Sequence, residues 1–312
     1  MKNLIDFFEN FKLFHFCKLI SAIGVFDGVH LGHREIIRQA RLRADLSGAK
    51  VLALSFSPHP RQLLTPDSPP QLLLSTDERV RLLREAGADF CGFINFTPEV
   101  AAMPPEEFLE ALFRQKECDI TGICVGSNWK FGRGGRGNRE LLDQFCKAKN
   151  WSFDAVNELE FDGKIISSTS IRQAIAAGDL ECAKKMLGRP VALYGTVEHG
   201  WQIASQKLDA PTANLNVAYG VLPPDGVYSG SAVIDGQNYP AAVNIGLAPT
   251  FGNNQRRTEV HLIGFTGSLY GRDMCVKLHR FLRPEKRFAT PDELKQQIAA
   301  DIAKIKMDQV LA

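Results

Sequence analysis

The sequence contains no long hydrophobic run and no recognisable export signal. No stretch of its 312 residues reaches the roughly 20 consecutive apolar residues that a membrane-spanning helix needs. The apolar stretch at the N-terminus is interrupted by Asp6, Glu9 and Lys12 and has no small-residue cleavage site, which argues against a signal peptide. We therefore expect a cytoplasmic protein with no membrane partner.

The sequence also has no large excess of positive or negative charge and no cluster of cysteines. Lysine and arginine number 37 against 35 aspartate and glutamate, for a net charge of +2. This balance gives no reason to expect nucleic-acid binding, although a small polyanion needs only local positive charge. The seven cysteines form no CxxC pair and no Cys/His cluster with metal-ligand spacing, and an odd number is not typical of a disulfide framework. We expect a reducing compartment and small-molecule ligands.

The length predicts about two domains of roughly 150 residues each. The first, residues 1–187, alternates short apolar runs with amphipathic runs, which predicts a Rossmann-like parallel sheet with helices on its faces. Ligands of such sheets bind beyond the carboxyl ends of the strands, so functional residues are expected in the loops that follow strands. The predicted strands are residues 20–26, 51–57, 90–96 and 120–125, and the predicted helices are residues 34–45, 77–86, 105–116 and 139–149.

The second predicted domain, residues 188–312, has a different pattern, rich in strands and short turns. The pair Asp235-Gly236 between two of these strands indicates a hairpin. A closing helix is predicted to begin at Thr290, because the sequence TPDE combines a capping box with proline at the first helical position. We expect an antiparallel β-barrel with a C-terminal helix. Its predicted strands are residues 193–199, 227–234, 239–245, 258–265 and 274–282.

The first predicted strand leads into the sequence GVFDGVHLGH, residues 24–33, and then directly into a helix. His30 and His33 are three residues apart and share one face of the first helical turn, while Gly24, Gly28 and Gly32 leave the backbone open to a ligand. A helix N-terminus favours phosphate, and two imidazoles there can hydrogen-bond to phosphoryl oxygens. His-x-Gly-His is typical of nucleotidyltransferases, which catalyse attack on the α-phosphorus of ATP with release of pyrophosphate. The alternative is a pair of structural loop histidines.

Other polar segments also follow predicted strands or begin predicted helices. In the sequence ISSTSIR, residues 166–172, the hydroxyls can cap a helix, whereas Arg172 can bind the β- and γ-phosphates of ATP. Residues 55–60 and 125–132 place aromatic side chains beside polar groups, which suits a flat heteroaromatic substrate. A structural role for His59 stays open.

The stretch from Gly132 to Gly137 formally matches GxGxxG, and Asp154 lies downstream at a spacing suited to a ribose contact. It follows the fourth strand instead of the first, and Asn138 stands where a Walker A loop requires lysine. We favour a flexible basic loop that contacts phosphate over a dinucleotide site.

In the second predicted domain, Thr212 and Asn214 are two residues apart and would point to the same side of an extended segment. Their oxygens are a workable pair of ligands for Mg²⁺ on ATP, and Glu259 is a candidate base for a substrate hydroxyl. Structural roles in turns are the alternative.

Taken together, these motifs resemble the bifunctional riboflavin kinase/FMN adenylyltransferases, the prokaryotic-type FAD synthetases. The resemblance covers nearly the whole chain. It implies an N-terminal domain that adenylylates FMN to FAD and a C-terminal barrel that phosphorylates riboflavin to FMN, both with ATP and Mg²⁺. Flavoproteins that accept the products would be further partners. Besides the motifs above, it rests on Gly226-Val227-Tyr228, Asn244-Ile245-Gly246, Pro249-Thr250-Phe251 and Leu269-Tyr270-Gly271.

The resemblance also implies roles for individual residues. In the first site, His30, His33 and Arg172 would be catalytic, and the flavin would lie near Phe56, His59 and Asn128. In the second, Thr212 and Asn214 would hold Mg-ATP, Glu259 would be the base and Arg283 would lie near the flavin. The further ATP-binding residues of the first site would be Gly24, Phe26, Gly28, Ser168 and Thr169, together with Arg172.

One stretch departs from the family pattern. Members usually carry a glycine-rich segment with a basic residue before Pro-Thr-Ala-Asn, but residues 200–210 read GWQIASQKLDA and keep only Gly200 and Leu208. Trp201 and Ile203 resist the backbone angles with which a glycine-rich loop closes around a triphosphate. We expect a kinase that works but is impaired. The alternatives are an FMN adenylyltransferase whose barrel only binds flavin, and a non-catalytic flavin-binding regulatory protein.

Overall fold

The structure is a computed structural model that describes residues 5–7, 17–114, 119–198, 212–247, 256–286 and 288–310. It divides into two units, residues 1–70 with 76–168 and residues 71–75 with 169–312. The predicted fold classes are confirmed, since a sheet of five parallel strands with helices is followed by a closed antiparallel barrel and a helix. The domain boundary predicted between residues 187 and 188 stays a prediction.

The sheet of the first unit has six strands in the order β1-β4-β3-β2-β5-β6, of which β1 is antiparallel and the rest are parallel. The four predicted strands are confirmed, but β2 ends three residues early because Phe26 adopts a left-handed backbone conformation, with φ of 52°. The short edge strands β1 and β6 were not predicted. The strands are β1 (Ile5–Phe7), β2 (Lys18–Ile23), β3 (Lys50–Ser57), β4 (Phe90–Asn95), β5 (Asp119–Gly126) and β6 (Ser152–Val156).

Helices connect these strands and cover the sheet. The longest buries Ile36, Ile37, Ala40 and Ala44 and ends at Gly48, whose left-handed backbone (φ 65°) suits glycine. All four predicted helices are confirmed, although the third ends at Phe113 and residues 115–116 of its prediction lie outside the described residues. The helices are α1 (Leu31–Ser47), α2 (Pro60–Leu64), α3 (Thr76–Glu85), α4 (Pro98–Ala102), α5 (Pro105–Phe113) and α6 (Arg139–Lys149). A small hairpin, β7 (Glu160–Phe161) and β8 (Lys164–Ile165), precedes α7 (Ser168–Ala176).

The order of the parallel strands defines where a ligand would bind. From β2 the chain moves outward through β3 and β4, then returns to place β5 on the other side of β2. The topological switch point therefore lies between β2 and β5, and ligands of open α/β sheets bind at this point, outside the carboxyl ends of the strands. His30 follows β2 and Asn128 follows β5.

In the second unit, six antiparallel strands close into a barrel in the order β10-β13-β12-β11-β14-β9. The five predicted strands are confirmed; β10 was missed because its asparagines interrupt the apolar pattern. Asp235 and Gly236 form the predicted hairpin turn, with positive φ at both residues as a type I′ turn requires. The elements after α7 are α8 (Leu180–Leu187), β9 (Val191–Glu198), β10 (Ala213–Tyr219), β11 (Gly226–Ile234), β12 (Gln237–Leu247), β13 (Arg256–Leu262), β14 (Asp273–Arg283) and α9 (Pro291–Val310).

Helix α9 begins as the sequence predicts. Thr290 Oγ1 accepts a hydrogen bond from the backbone N–H of Glu293, and the Glu293 carboxylate accepts one from the N–H of Ala289, one residue before the predicted position. None of the helices in the described part of the chain combines the length and apolar character needed to cross a membrane.

Candidate active sites

The two histidines of the GVFDGVHLGH segment form one stacked pair at the start of α1. Their ring centroids are 3.6 Å apart with an interplanar angle of 20°, and Phe26 packs edge-on against His33. His30 is the N-cap residue, and its Nδ1 accepts a hydrogen bond from the backbone N–H of His33 at 3.4 Å. Ser, Thr, Asp and Asn are the usual N-cap residues, and this bond is long. Capping alone therefore does not explain a histidine at this position.

The loop before the histidines is tight and strained. Phe26 and Val29 have positive φ angles of 52° and 37°, a conformation that costs non-glycine residues on the order of 1–3 kcal/mol each and that is typical of functional loops. A side chain at Gly24 would place its Cβ 2.9 Å from the Phe26 ring, so any other residue there would have to displace that ring. The Ser55 hydroxyl anchors the loop by donating to the carbonyl of Val25 at 2.7 Å.

The electrostatics of this helix end favour an anion. The first turn of α1 contains no acidic residue. The positive end of the helix dipole is therefore not offset by a carboxylate in that turn. With two imidazoles beside it, this helix end is suited to bind phosphate.

The ISSTSIR segment divides between the two units. Ser168, the first residue of α7, donates a hydrogen bond from its hydroxyl to the carbonyl of Asp27 at 2.6 Å, which ties it to the histidine loop. Thr169 is exposed and belongs to the second unit, as does Arg172. Arg172 Nε donates to the carbonyl of Gln71 at 2.7 Å within that unit. The structure thus places Ser168 beside the histidine loop and Arg172 against the segment 71–75.

The predicted flavin residues Phe56 and His59 lie near the end of β3, Phe56 within the strand and His59 two residues after its last residue. Phe56 is buried in the core of the sheet, edge-on to Phe96. His59 is the N-cap of α2, and its Nδ1 accepts from the backbone N–H of Arg61 at 3.1 Å. His59 therefore has the structural role that the sequence left open, and a flavin contact would come in addition to it. Asn128, the third predicted flavin residue, is exposed after β5 and donates to Glu158 at 2.6 Å.

A buried arginine supports this end of β3 and was not predicted. Arg79 on α3 is 3% exposed, and its Nη1 donates to the Ser55 hydroxyl and to the carbonyl of Phe56. Its guanidinium also lies 5.6 Å from the Phe93 ring centroid. In the sequence, Arg79 is a single charged residue on the apolar face of a predicted helix, and this is weak evidence for a buried role. Arg79 braces the backbone that carries Phe56 and the histidine loop.

The GxGxxG stretch forms a basic loop with a short 3-10 helix at Arg133–Gly135. Lys130, Arg133 and Arg136 in or beside this loop are exposed. Asp154, which a dinucleotide site would use for ribose, instead forms a bidentate ion pair with Arg43 at 2.7 and 2.9 Å. This pairing favours the basic-loop interpretation.

In the second unit, polar side chains from neighbouring strands lie in one row across the barrel. Asn214 on β10 is directly opposite Glu259 on β13, and Glu259 is in turn opposite Asn244 on β12. Directly opposite residues point to the same face, with Cβ atoms about 4.5–5.5 Å apart. All three are partly buried and alternate with fully buried neighbours, so they lie on the outer face of the barrel. Asn244 was not among the predicted site residues. It could have been found in the sequence as a polar residue within an otherwise apolar predicted strand.

A cavity of about 330 Å³ lies between this face and helix α9. Thr212, Glu259, Asn244 and His261 line it from the barrel, and Leu294 and Ile298 line it from the helix. Of the predicted residues, Thr212 and Glu259 therefore line one cavity. Asn214 is opposite Glu259 in the strand register but is not among the residues that line the cavity. The hydroxyl, amide and carboxylate oxygens of these three residues are the hard donors that Mg²⁺ prefers. Within the described ranges, no group of three or more His, Cys, Asp or Glu residues is placed to hold a metal ion.

Arg283, the predicted flavin neighbour, forms one wall of this cavity and is held rigidly. Its Nε and Nη2 both lie 2.9 Å from Oδ2 of Asp301 on α9, whose side chain is only 4% exposed. Gln297 donates to the other carboxylate oxygen at 3.0 Å, and the Phe288 ring lies 5.8 Å from the guanidinium. The atypical stretch 200–210 and the Pro249-Thr250-Phe251 segment lie outside the described residues.

The first unit has a parallel sheet and a histidine pair at the N-terminus of the helix that follows the first parallel strand. This fold and site are typical of the nucleotidyltransferase class. A barrel with its own polar site follows in the same chain. The sequence model of the FAD synthetase family matches residues 15–170, and that of the riboflavin kinase family matches residues 187–308.

Similar proteins match over nearly the whole chain. The bifunctional riboflavin kinase/FMN adenylyltransferase of Pseudomonas fluorescens is 35% identical, covering 91% of each chain. That of Bacillus subtilis is 31% identical, covering 91% of this chain and 90% of its own. A crystal structure from Streptococcus pneumoniae, described as a macrolide-efflux protein, has a TM-score of 0.82 at 28% identity and covers 95% of this chain and 97% of its own. The chain belongs to the family of bifunctional riboflavin kinase/FMN adenylyltransferases.

Proposed function

We propose that this chain makes flavin cofactors from ATP in two reactions, phosphorylating riboflavin to FMN and adenylylating FMN to FAD with release of pyrophosphate. The observation that carries the proposal is that each unit has its own polar site of distinct chemistry. The first has the stacked His30–His33 pair at a helix N-terminus, and the second has the row of Asn214, Glu259 and Asn244.

In the adenylyl transfer, a phosphate oxygen of FMN attacks the α-phosphorus of ATP, and the bond to the bridging oxygen of the β-phosphate breaks. Pyrophosphate carries away the electron pair. His30 and His33 donate hydrogen bonds to phosphoryl oxygens as negative charge moves onto the leaving group, with the N–H groups of α1 beside them. Such catalysis is mainly positioning and electrostatic stabilisation.

The remaining residues of the first site hold the substrates. Ser168, Thr169 and Arg172 bind the ATP phosphates, with Gly24, Phe26 and Gly28 around the nucleotide. Phe56, His59 and Asn128 lie near the flavin.

In the kinase reaction, the terminal hydroxyl of the riboflavin ribityl chain attacks the γ-phosphorus of ATP, and ADP leaves. Glu259 accepts the hydroxyl proton. Thr212 and Asn214 would hold Mg²⁺ with ATP, and the ion would neutralise phosphate charge. Arg283, fixed by Asp301, lies beside the flavin. A cytoplasmic location and flavoprotein acceptors stay predictions.

The two alternatives are not favoured. A barrel that only bound flavin would have no need for the Thr212, Asn214 and Glu259 oxygens on one face, and a regulatory protein would have no need for the paired histidines. Both family models also cover their parts of this chain.

The experiment is to incubate the purified chain with ATP, Mg²⁺ and either riboflavin or FMN and to separate the flavins by chromatography. We expect FAD from FMN, and FMN followed by FAD from riboflavin. FAD from FMN with no product from riboflavin would support the flavin-binding barrel, and no product from either would support the regulatory protein.

A further inference from the structure

Helix α1 carries four arginines, and one of them differs from the other three. Arg34, in the first turn, has no ion pair within the described ranges, and its Nε is buried without a hydrogen-bond partner there. The other three have carboxylate partners at nitrogen–oxygen distances of 2.6–2.7 Å: Arg38–Glu35, Arg41–Asp89 and Arg43–Asp154.

The position of Arg34 is unfavourable for the protein alone. A buried donor without a partner loses its hydrogen bond to water, and a cation in the first turn of a helix opposes the positive end of the helix dipole. No acidic residue in that turn offsets the charge. An anionic ligand at the same place would satisfy both the donor and the charge.

Arg34 is also placed to reach the histidine pair. It lies four residues after His30, so both share one face of α1, and its backbone N–H donates to the carbonyl of His30 at 2.9 Å. Helical side chains lean toward the helix N-terminus and cover the preceding turn. From this geometry we expect the Arg34 side chain to extend toward the turn in which His30 and His33 stack.

We propose that Arg34 binds the pyrophosphate portion of ATP in the adenylyl-transfer site. The planar guanidinium presents several donors that match phosphate oxygens, and the β- and γ-phosphates carry most of the negative charge of the nucleotide. Arg34 thereby contributes to phosphate binding beside the histidine pair of the first unit. This assignment rests on the proposed function of the His30–His33 site.

The test uses the reverse reaction, in which a pyrophosphate oxygen attacks the adenylyl phosphorus of FAD and FMN leaves, giving ATP. The kinase site takes no part in it. In the full chain, Arg34→Gln should raise the KM for pyrophosphate by roughly 10- to 100-fold, the range for a lost hydrogen bond to a charged group. Arg34→Lys, which keeps the charge, should lie between Arg34→Gln and the unchanged chain.

The matched control is Arg38→Gln, the same substitution one turn further along at a side chain that is 56% exposed and paired with Glu35. It should leave the KM for pyrophosphate within about twofold, since exposed ion pairs contribute little. Riboflavin phosphorylation should be unchanged in Arg34→Gln. The Tm of the unliganded chain should not fall, because the substitution removes a cation that opposes the helix dipole.

Several results would overturn the proposal. They are equal KM values for pyrophosphate in Arg34→Gln and Arg38→Gln, an effect on the KM for FAD in place of pyrophosphate, an Arg34→Lys variant no better than Arg34→Gln, or a lowered Tm with unchanged KM. A His30→Ala, His33→Ala double variant is measured beside them. If it keeps FAD formation, the site itself is misassigned; if it loses FAD formation while Arg34→Gln is neutral, only the role of Arg34 fails.

Discussion

The two units build their candidate sites from different parts of their secondary structure. In the first, the residues lie after β2 and β5, at the end of β3 and at the start of α7. The central ones lie within ten consecutive positions, residues 24–33. In the second, the residues lie on strands far apart in the chain, and only pairing between β10, β13 and β12 puts Asn214, Glu259 and Asn244 in one row. Site residues within one loop form a sequence motif that can be recognised directly. Site residues on different strands come together only through the register in which the strands pair.

The sharpest test of this comparison is whether one site can be removed without the other. The His30→Ala, His33→Ala variant should lose FAD formation, because each lost donor to the transferring phosphoryl group costs about 10²–10³-fold. Because the two rings are in contact, their contributions do not simply add, and the double change should lower the rate by at least about 10²–10³-fold. Both reactions are followed by chromatography of the flavins, and riboflavin phosphorylation by the same sample should be unchanged. FAD formation that survived the double change would show that the histidines are structural.

The corresponding change in the barrel is Glu259→Gln. It should lower the turnover of riboflavin phosphorylation by about 10²–10⁴-fold, the range for a lost general base, with little change in the KM for ATP. Steady-state kinetics at saturating riboflavin measure both values, and FAD formation from FMN is the internal control. An unchanged turnover would leave Glu259 a structural residue of β13.

The contact between α9 and the barrel predicts an effect on the stability of the second unit. Asp301→Asn leaves Arg283 without its carboxylate in a largely buried place, which should cost up to about 3 kcal/mol in the free energy of unfolding. Hydrogen-exchange mass spectrometry of peptides from α9 and β14 would show faster exchange. Lys304→Gln, at an exposed position of the same helix, is the control. Equal exchange in the two variants would mean that the ion pair does not hold α9.

The smallest expected effect concerns the atypical stretch 200–210, outside the described residues. Rebuilding it as a glycine-rich loop with a basic residue should lower the apparent KM for ATP in riboflavin phosphorylation by about tenfold, since one charged hydrogen bond is worth about that much. FAD formation should not change. If the original chain already matches the rebuilt one in ATP affinity and turnover, the departure is neutral.

Residues that serve as scaffold were the least predictable from sequence. Arg79 and Asp301 are both buried charges, and each acts through a partner more than 15 positions away in the chain. In the sequence, each is one charged residue on an amphipathic helix, where most charges face water. Only the packing shows that the first braces β3 and the second fixes Arg283.

The sequence by itself determined most of the elements and pointed to residues 24–33 as a candidate site. Hydrophobic periodicity predicted the parallel sheet and the barrel, and Asp235-Gly236 and Thr290 predicted a turn and a helix start, because these signals act between near neighbours in the chain. The tertiary structure alone decided the stacking of His30 on His33 and the row through Glu259. Ring orientation and strand register are set by contacts between segments distant in sequence, and such contacts leave no periodic pattern to read.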